Sequence, residues 1–179
     1  MLETTNTHER YDRWIHRVCD QLNKLIQLDV DAACTYREAL THVTDFDVKL
    51  DLESFLADHE RHVMELSTII RDLGNTPIAV HRDLKGAILE GMTRLRSRGT
   101  LGALRAMRMN EKLTNRTYDK ASHVYMPPLG QVIVVENLED ERRHLAAIEA
   151  HIARLSGETT DVRGNVRLDQ VDSHRPLYR

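Results

Sequence analysis

Residues 58 to 66 read DHERHVMEL, placing His59 and His62 three apart in a stretch whose apolar residues recur at helical spacing. Steps of four and three link Val48, Leu52, Phe55, Leu66, Ile69 and Leu73 and run through both histidines, so the imidazoles fall in the apolar seam of one helix. Imidazole nitrogens in such a seam are costly unless a polar group or a metal ion satisfies them. An earlier helical stretch has the same peculiarity. The seam that carries Leu22, Ile26 and Leu40 also carries Asp29 and, seven residues on, Tyr36.

The pattern recurs at an offset of 82 residues: Asp29 falls on Glu111, Tyr36 on Tyr118, Asp58 on Asp140, His59 on Glu141 and His62 on His144. Each half therefore reads carboxylate, six residues, tyrosine, and then carboxylate or histidine, two residues, histidine. Thirty residues separate Asp29 from His59, and thirty separate Glu111 from Glu141. The midpoints are Thr44 and Met126, where a capping residue and a Pro-Pro pair independently predict turns. In an antiparallel hairpin, residues equidistant from the turn stand within ~3 Å of one another along the axis. Asp29, His59, His62, Glu111, Glu141 and His144 are thus predicted to converge at one level of a bundle. Several buried carboxylates without a cation cost several kcal/mol for each unpaired charge, so metal binding is the leading reading and a polar core network the alternative. The charge count by halves predicts a tighter position at Glu111, Glu141 and His144 and a weaker one at Asp29, His59 and His62.

Taken twice over, a carboxylate with tyrosine seven residues on, then E-x-x-H on the next helix, resembles the ferritin-like and rubrerythrin-like superfamily of four-helix bundles with a carboxylate-bridged dimetal site. The resemblance covers roughly residues 8 to 156. It implies that Glu141 bridges two metals and that Asp58 and Asp140 orient histidines on partner helices, with a solvated face as the alternative; the register of Tyr36 and Tyr118 predicts hydrogen bonds to Asp29 and Glu111, with plain packing as the alternative. Asp29 stands where the family carries Glu, and His59 where it carries the first bridging Glu. The implied metal is iron, with zinc or manganese as alternatives, and the implied chemistry is of ferroxidase or peroxidase type, as in the response to oxidative stress. The competing function is a non-enzymatic scaffold or stress-related binding protein with a degraded or zinc-occupied site.

The elements that must position these residues read as all-α, an antiparallel bundle of two pseudo-symmetric hairpins. The first helix is expected from about Glu9 to Val43, the second from an N-cap at Thr44 to Leu73, and the third up to Met126-Pro127-Pro128. The fourth is expected to end near Leu155. A long crossover, about 74–100, is expected to hold a short extra helix, and 1–157 to form one domain. The polar segment 158–179 reads as a tail, flexible or docked on a neighbour.

The net charge of −3, the 41% hydrophobic content and the 4% aromatic content fit a helical protein and give no footprint for nucleic acid. No cluster of basic residues alternating with stacking aromatics stands out, and Glu60, Arg61, Arg142 and Arg143 read as a solvated face. Cys19 and Cys34 lie roughly 22 Å apart on one helix and cannot bridge each other. Together with the lack of an apolar run long enough to span a bilayer, this predicts a cytoplasmic protein that binds metal ions, engages neither nucleic acid nor membrane, and forms a monomer or a homo-oligomer.

Overall fold

The computed structural model describes residues 2–79 and 99–157, and the short crossover helix and the tail expected from sequence lie outside these described residues. Among the described residues four helices form: α1 (Leu2–Leu40), α2 (Phe46–Asp72), α3 (Gly99–Ser122) and α4 (Pro128–Ser156). Among them α1 packs on α2 and α3, and α4 packs on α3 and α2, so α1 and α4 are diagonal, as are α2 and α3. Each hairpin is antiparallel. Thr44, in the α1–α2 turn, donates its N–H to Thr100 Oγ1 at the start of α3, at 3.1 Å.

Helix ends differ from the sequence expectation in several places. α1 begins at Leu2, well before Glu9, although residues 2 to 8 carry no apolar stripe. The α2 N-cap is Asp45 rather than Thr44. The Asp45 carboxylate accepts the Val48 N–H at 3.1 Å and two bonds from Arg154 of α4, whereas Thr44 is engaged by Thr100. Gly74, at φ 74°, closes α2. Its N–H bonds Arg71 O and that of Asn75 bonds Ile70 O, the paired bonds of a Schellman ending that needs a left-handed residue. α3 stops at Ser122, before Met126, and α4 opens with Pro128 in its first turn, where a missing N–H costs nothing.

The buried seams follow the sequence pattern. Val48, Leu52, Phe55, His59, His62, Leu66 and Ile69 of α2 are all buried. Two apolar clusters result. One gathers Leu22, Leu25, Ile26, Ile70 and Val134 toward the α3–α4 turn, and the other gathers Val48, Leu52, Leu104, Met107 and Ile148 toward the α1–α2 turn. Each such large side chain contributes about 1.5–3 kcal/mol by leaving water. Between the clusters lies a polar layer.

Candidate metal centre

Asp29 comes from α1, His59 and His62 from α2, Glu111 from α3, and Glu141 and His144 from α4, and none of the six has any solvent exposure. The structure thus brings together all six residues singled out by spacing. One donor atom from each of Asp29, His59, His62 and Glu141 lies within 4.8 Å of the others, and the same holds for His59, Glu111, Glu141 and His144. His59 and Glu141 belong to both groups. Each group has two carboxylates and two imidazoles, so the structure groups the six differently from the division by sequence halves.

His59 sits between the groups. Its Nδ1 lies 2.9 Å from Asp29 Oδ1 and 3.4 Å from Glu141 Oε1, and its Nε2 lies 3.6 Å from Glu111 Oε1. The outer nitrogens of the other two histidines are occupied: His144 Nε2 lies 3.0 Å from Asp58 Oδ2, and His62 Nε2 lies 3.3 Å from Asp140 Oδ2. In the neutral imidazole, an Nε2–H donated outward leaves Nδ1 without a proton and inward, the tautomer a metal requires. Five inward atoms have no hydrogen-bond partner among the described residues: His62 Nδ1, His144 Nδ1, His59 Nε2 and both carboxylate oxygens of Glu141. Orphaned polar atoms concentrated at one buried point are exceptional in a folded protein.

The tyrosines brace the carboxylates crosswise. Tyr36 Oη donates to Glu111 Oε1 at 2.6 Å, and Tyr118 Oη donates to Asp29 Oδ2 at 2.5 Å. Burial, reinforced by the neighbouring carboxylates, pushes both phenol pKa values well up, so both remain donors. Asn115 of α3 donates to the Glu141 backbone carbonyl at 2.8 Å and ties α3 to α4 at this level.

Arg61 and Arg143 were read from sequence as solvated, but they complete the surround. Arg61 bonds Asp58 at 2.9 Å and Asp140 at 2.5 Å; Arg143 bonds Asp58 at 2.6 Å and also Asp140. Burial resists ionisation of Asp58, yet the bonds from His144 and Arg61 outweigh it and hold the carboxyl well below its ordinary range. The signal that could have found them is the same offset of 82 residues, which superposes Arg61 on Arg143.

Protons balance the charge of the cluster. Burial resists the charged form of His59, but Glu141, Asp29 and Glu111 raise its pKa well above the ordinary value. Burial also opposes charge on His62, and Asp29 with Glu141 brings it up to about 9. Burial would raise Asp29 and Glu111, and the facing histidines bring both down instead. Glu141 goes the other way: burial, helped by Glu111 and Asp29, pushes it up to about 7 against the pull of His59 and His62. Burial lowers the pKa of His144.

A second polar surface lies near the start of α1. Arg10, Arg13 and Arg17 stand on one helical face with Tyr11 and Trp14, and the α3–α4 turn adds Tyr125; together they line an open depression of about 700 Å³. The sequence expectation of no basic cluster interleaved with aromatics is corrected here, because helical spacing gathers five of these residues and the turn supplies the sixth from far along the chain.

Two antiparallel hairpins packed on each other, with a buried layer of carboxylates and histidines at mid-height, define a ferritin-like four-helix bundle. Within that fold class, the chain belongs to the family described as Domain of unknown function (DUF2383), whose model matches residues 17–124. Three solved structures share the fold. One is a two-domain protein with DJ-1/ThiJ/PfpI-like and ferritin-like domains from Anabaena variabilis, at TM-score 0.66 and 13% identity over 87% of this chain and 41% of that one. This chain thus spans about two fifths of that protein. Another is a dodecameric thioferritin, a bacterioferritin-related protein from Bacteroides fragilis, at TM-score 0.63 and 16% identity over 82% and 92% of the two chains. The third is described among ferritin-like, diiron-carboxylate proteins from Bacillus anthracis, at TM-score 0.52 and 19% identity over 80% and 96%. Sequence comparison with curated proteins gives no match. Among the described residues, no helix is long and apolar enough to cross a membrane.

Proposed function

We propose that this protein binds transition-metal ions at Asp29, His59, His62, Glu111, Glu141 and His144, with iron as the metal and zinc or manganese as alternatives. The observation that carries the reading is the set of five orphaned inward atoms, two of them on Glu141. A hydrogen-bonded core would have paired them, whereas cations held by the two donor groups would satisfy them. Mixed oxygen and imidazole donors suit iron, manganese and zinc rather than calcium or magnesium. Iron held here would supply oxygen or peroxide chemistry of the ferroxidase or peroxidase kind. The part played by the chain is to aim the donors: Asp58 and Asp140 fix two imidazoles, Tyr36 and Tyr118 fix two carboxylates, and the apolar clusters above and below keep water out.

The diiron-carboxylate description of the Bacillus anthracis structure supports iron, and the dodecamer from Bacteroides fragilis supports a homo-oligomer. We also propose that residues 1–157 act as one domain, with 158–179 as an appended tail, and that the protein works in the cytoplasm, where free cysteines such as Cys19 and Cys34 persist.

The competing reading, a scaffold with a purely polar core network, is favoured by the 2.9 Å contact between His59 and Asp29. Elemental analysis of protein purified without chelator separates the two. The metal reading expects bound iron, zinc or manganese, and a melting temperature that falls when the metal is removed. Protein that arrives metal-free, takes up none of the three on titration, and melts identically with and without chelator refutes it.

A further inference from the structure

We propose that the depression at the start of α1 is a binding site for a nucleotide, a planar heteroaromatic base carrying a phosphate chain. The site lies apart from the buried cluster: Arg17 precedes Asp29 by roughly 18 Å along α1. The inference does not depend on metal binding.

Three observations select the ligand class. Trp14 lies between two other rings, with centroids 5.5 Å from Tyr11 and 5.8 Å from Tyr125 and interplanar angles of 46° and 39°. Its indole Nε1–H is tied to the Tyr125 carbonyl at 3.0 Å, which fixes the platform while leaving both tyrosines largely exposed, Tyr125 at 82%. A fixed, exposed aromatic platform suits a flat ring system that can stack on it. Beside it, Arg10, Arg13 and Arg17 follow one another at helical steps of three and four. None of the three has a carboxylate partner among the described residues, and Arg17 is held by its Nε–H bond to the Arg13 carbonyl at 3.3 Å. Three guanidinium groups without an ion-pair partner among the described residues form a local anion site, although Glu9, Asp12 and Asp20 share the helix, and the planar fork of arginine matches phosphate. The size is also limited. Arg10 and Arg17 are about 10 Å apart along the helix, the reach of one base with its phosphates rather than of an extended strand. The depression of about 700 Å³ falls within the range of small-molecule sites. The overall negative charge of the chain disfavours a long polyanion.

Trp14 is the single tryptophan, so its fluorescence reports the site directly. The full chain is titrated with adenosine 5′-diphosphate, and separately with adenosine, inorganic pyrophosphate and a single-stranded oligonucleotide. The expected result is saturable quenching by the diphosphate, with adenosine and pyrophosphate each at least about tenfold weaker. Arg10→Ala and Arg13→Ala should each weaken the diphosphate about tenfold, the scale of one charge-assisted bond. Both side chains are exposed, so helix content and melting should stay unchanged, which is checked by circular dichroism. Tyr125→Ala should weaken the diphosphate and adenosine alike while leaving pyrophosphate unaffected. Absence of saturable quenching, or an affinity unchanged in both arginine variants, overturns the proposal. Tighter binding of the oligonucleotide than of the diphosphate through the same arginines also overturns it, and makes the surface one for single-stranded nucleic acid.

Discussion

Raising the pH from 6 to 9 should destabilise the metal-free protein and leave the metal-loaded protein nearly unaffected. The His62 pKa rises on folding from an ordinary 6.5 to about 9, because Asp29 and Glu141 outweigh its burial. A raised pKa means that the folded state binds the proton more tightly. The resulting stabilisation is fully present below the ordinary value and disappears as pH climbs through 9. The shift corresponds to about 3 kcal/mol, and in a chain of this length that lowers the melting temperature by roughly 6–12 °C. Glu141, raised from 4.5 to about 7, loses its own contribution in the same direction as pH passes through 7. A metal coordinated by His62 Nδ1 and the Glu141 oxygens has already displaced these protons, so the loaded form has little left to lose. Thermal melts at pH 6, 7, 8 and 9, with excess chelator or with excess manganese, should show the gap between the two forms widening toward alkaline pH. A metal-free melting temperature that is flat or rises over this window, or a gap independent of pH, would refute the assignment of the protons to His62 and Glu141.

Four substitutions test the surround and the bridge. His59→Glu places a fourth carboxylate opposite Glu141; the metal-free form should become less stable, with metal stoichiometry by elemental analysis rising toward two, and equal destabilisation of both forms would place His59 in a polar network instead. Asp140→Asn weakens the hold on His62 Nε2 and should reduce metal affinity about 10–100-fold by calorimetric titration, with Asp58→Asn acting similarly through His144. Tyr118→Phe leaves Asp29 Oδ2 without its donor and should cost about 1–3 kcal/mol in denaturant unfolding of the metal-free protein, while circular dichroism keeps its helical signature.

The fold and the buried layer were legible because two periodicities reinforced one another. Helical spacing put His59, His62 and Asp29 in apolar seams, and the offset of 82 residues put Glu111, Glu141 and His144 at the matching places. Equal distances from Thr44 and Met126 then set the height at which they meet. What sequence spacing did not give is information about azimuth, meaning which neighbour each side chain turns toward. The pairing of Tyr36 with Glu111 rather than with Asp29 of its own helix depends on how the hairpins face each other. So does the sharing of His59 and Glu141 by both donor groups. Arg61 and Arg143 were hidden for another reason: they are partly exposed, and exposure on a helix is the ordinary state of arginine. The capping residue moved by one place because Thr44 had a better partner in Thr100, a contact between residues 56 positions apart that no local signature encodes.

The bonds that hold the buried layer in position have a shared direction. Tyr36 of the first hairpin reaches Glu111 of the second, Tyr118 of the second reaches Asp29 of the first, Asp58 reaches His144, and Asp140 reaches His62. Within the first hairpin His59 meets Asp29, but the other braces all come from the opposite hairpin, so the site is completed only when the two dock. Two identical hairpins meeting about a twofold axis could make the same crosswise bonds, but every residue would then occur twice, and a histidine facing a glutamate at the shared position would be impossible. Covalent continuity lifts that restriction. In one chain position 59 can be His while its counterpart at 141 stays Glu, so the centre of the molecule can be lopsided while its supports remain matched.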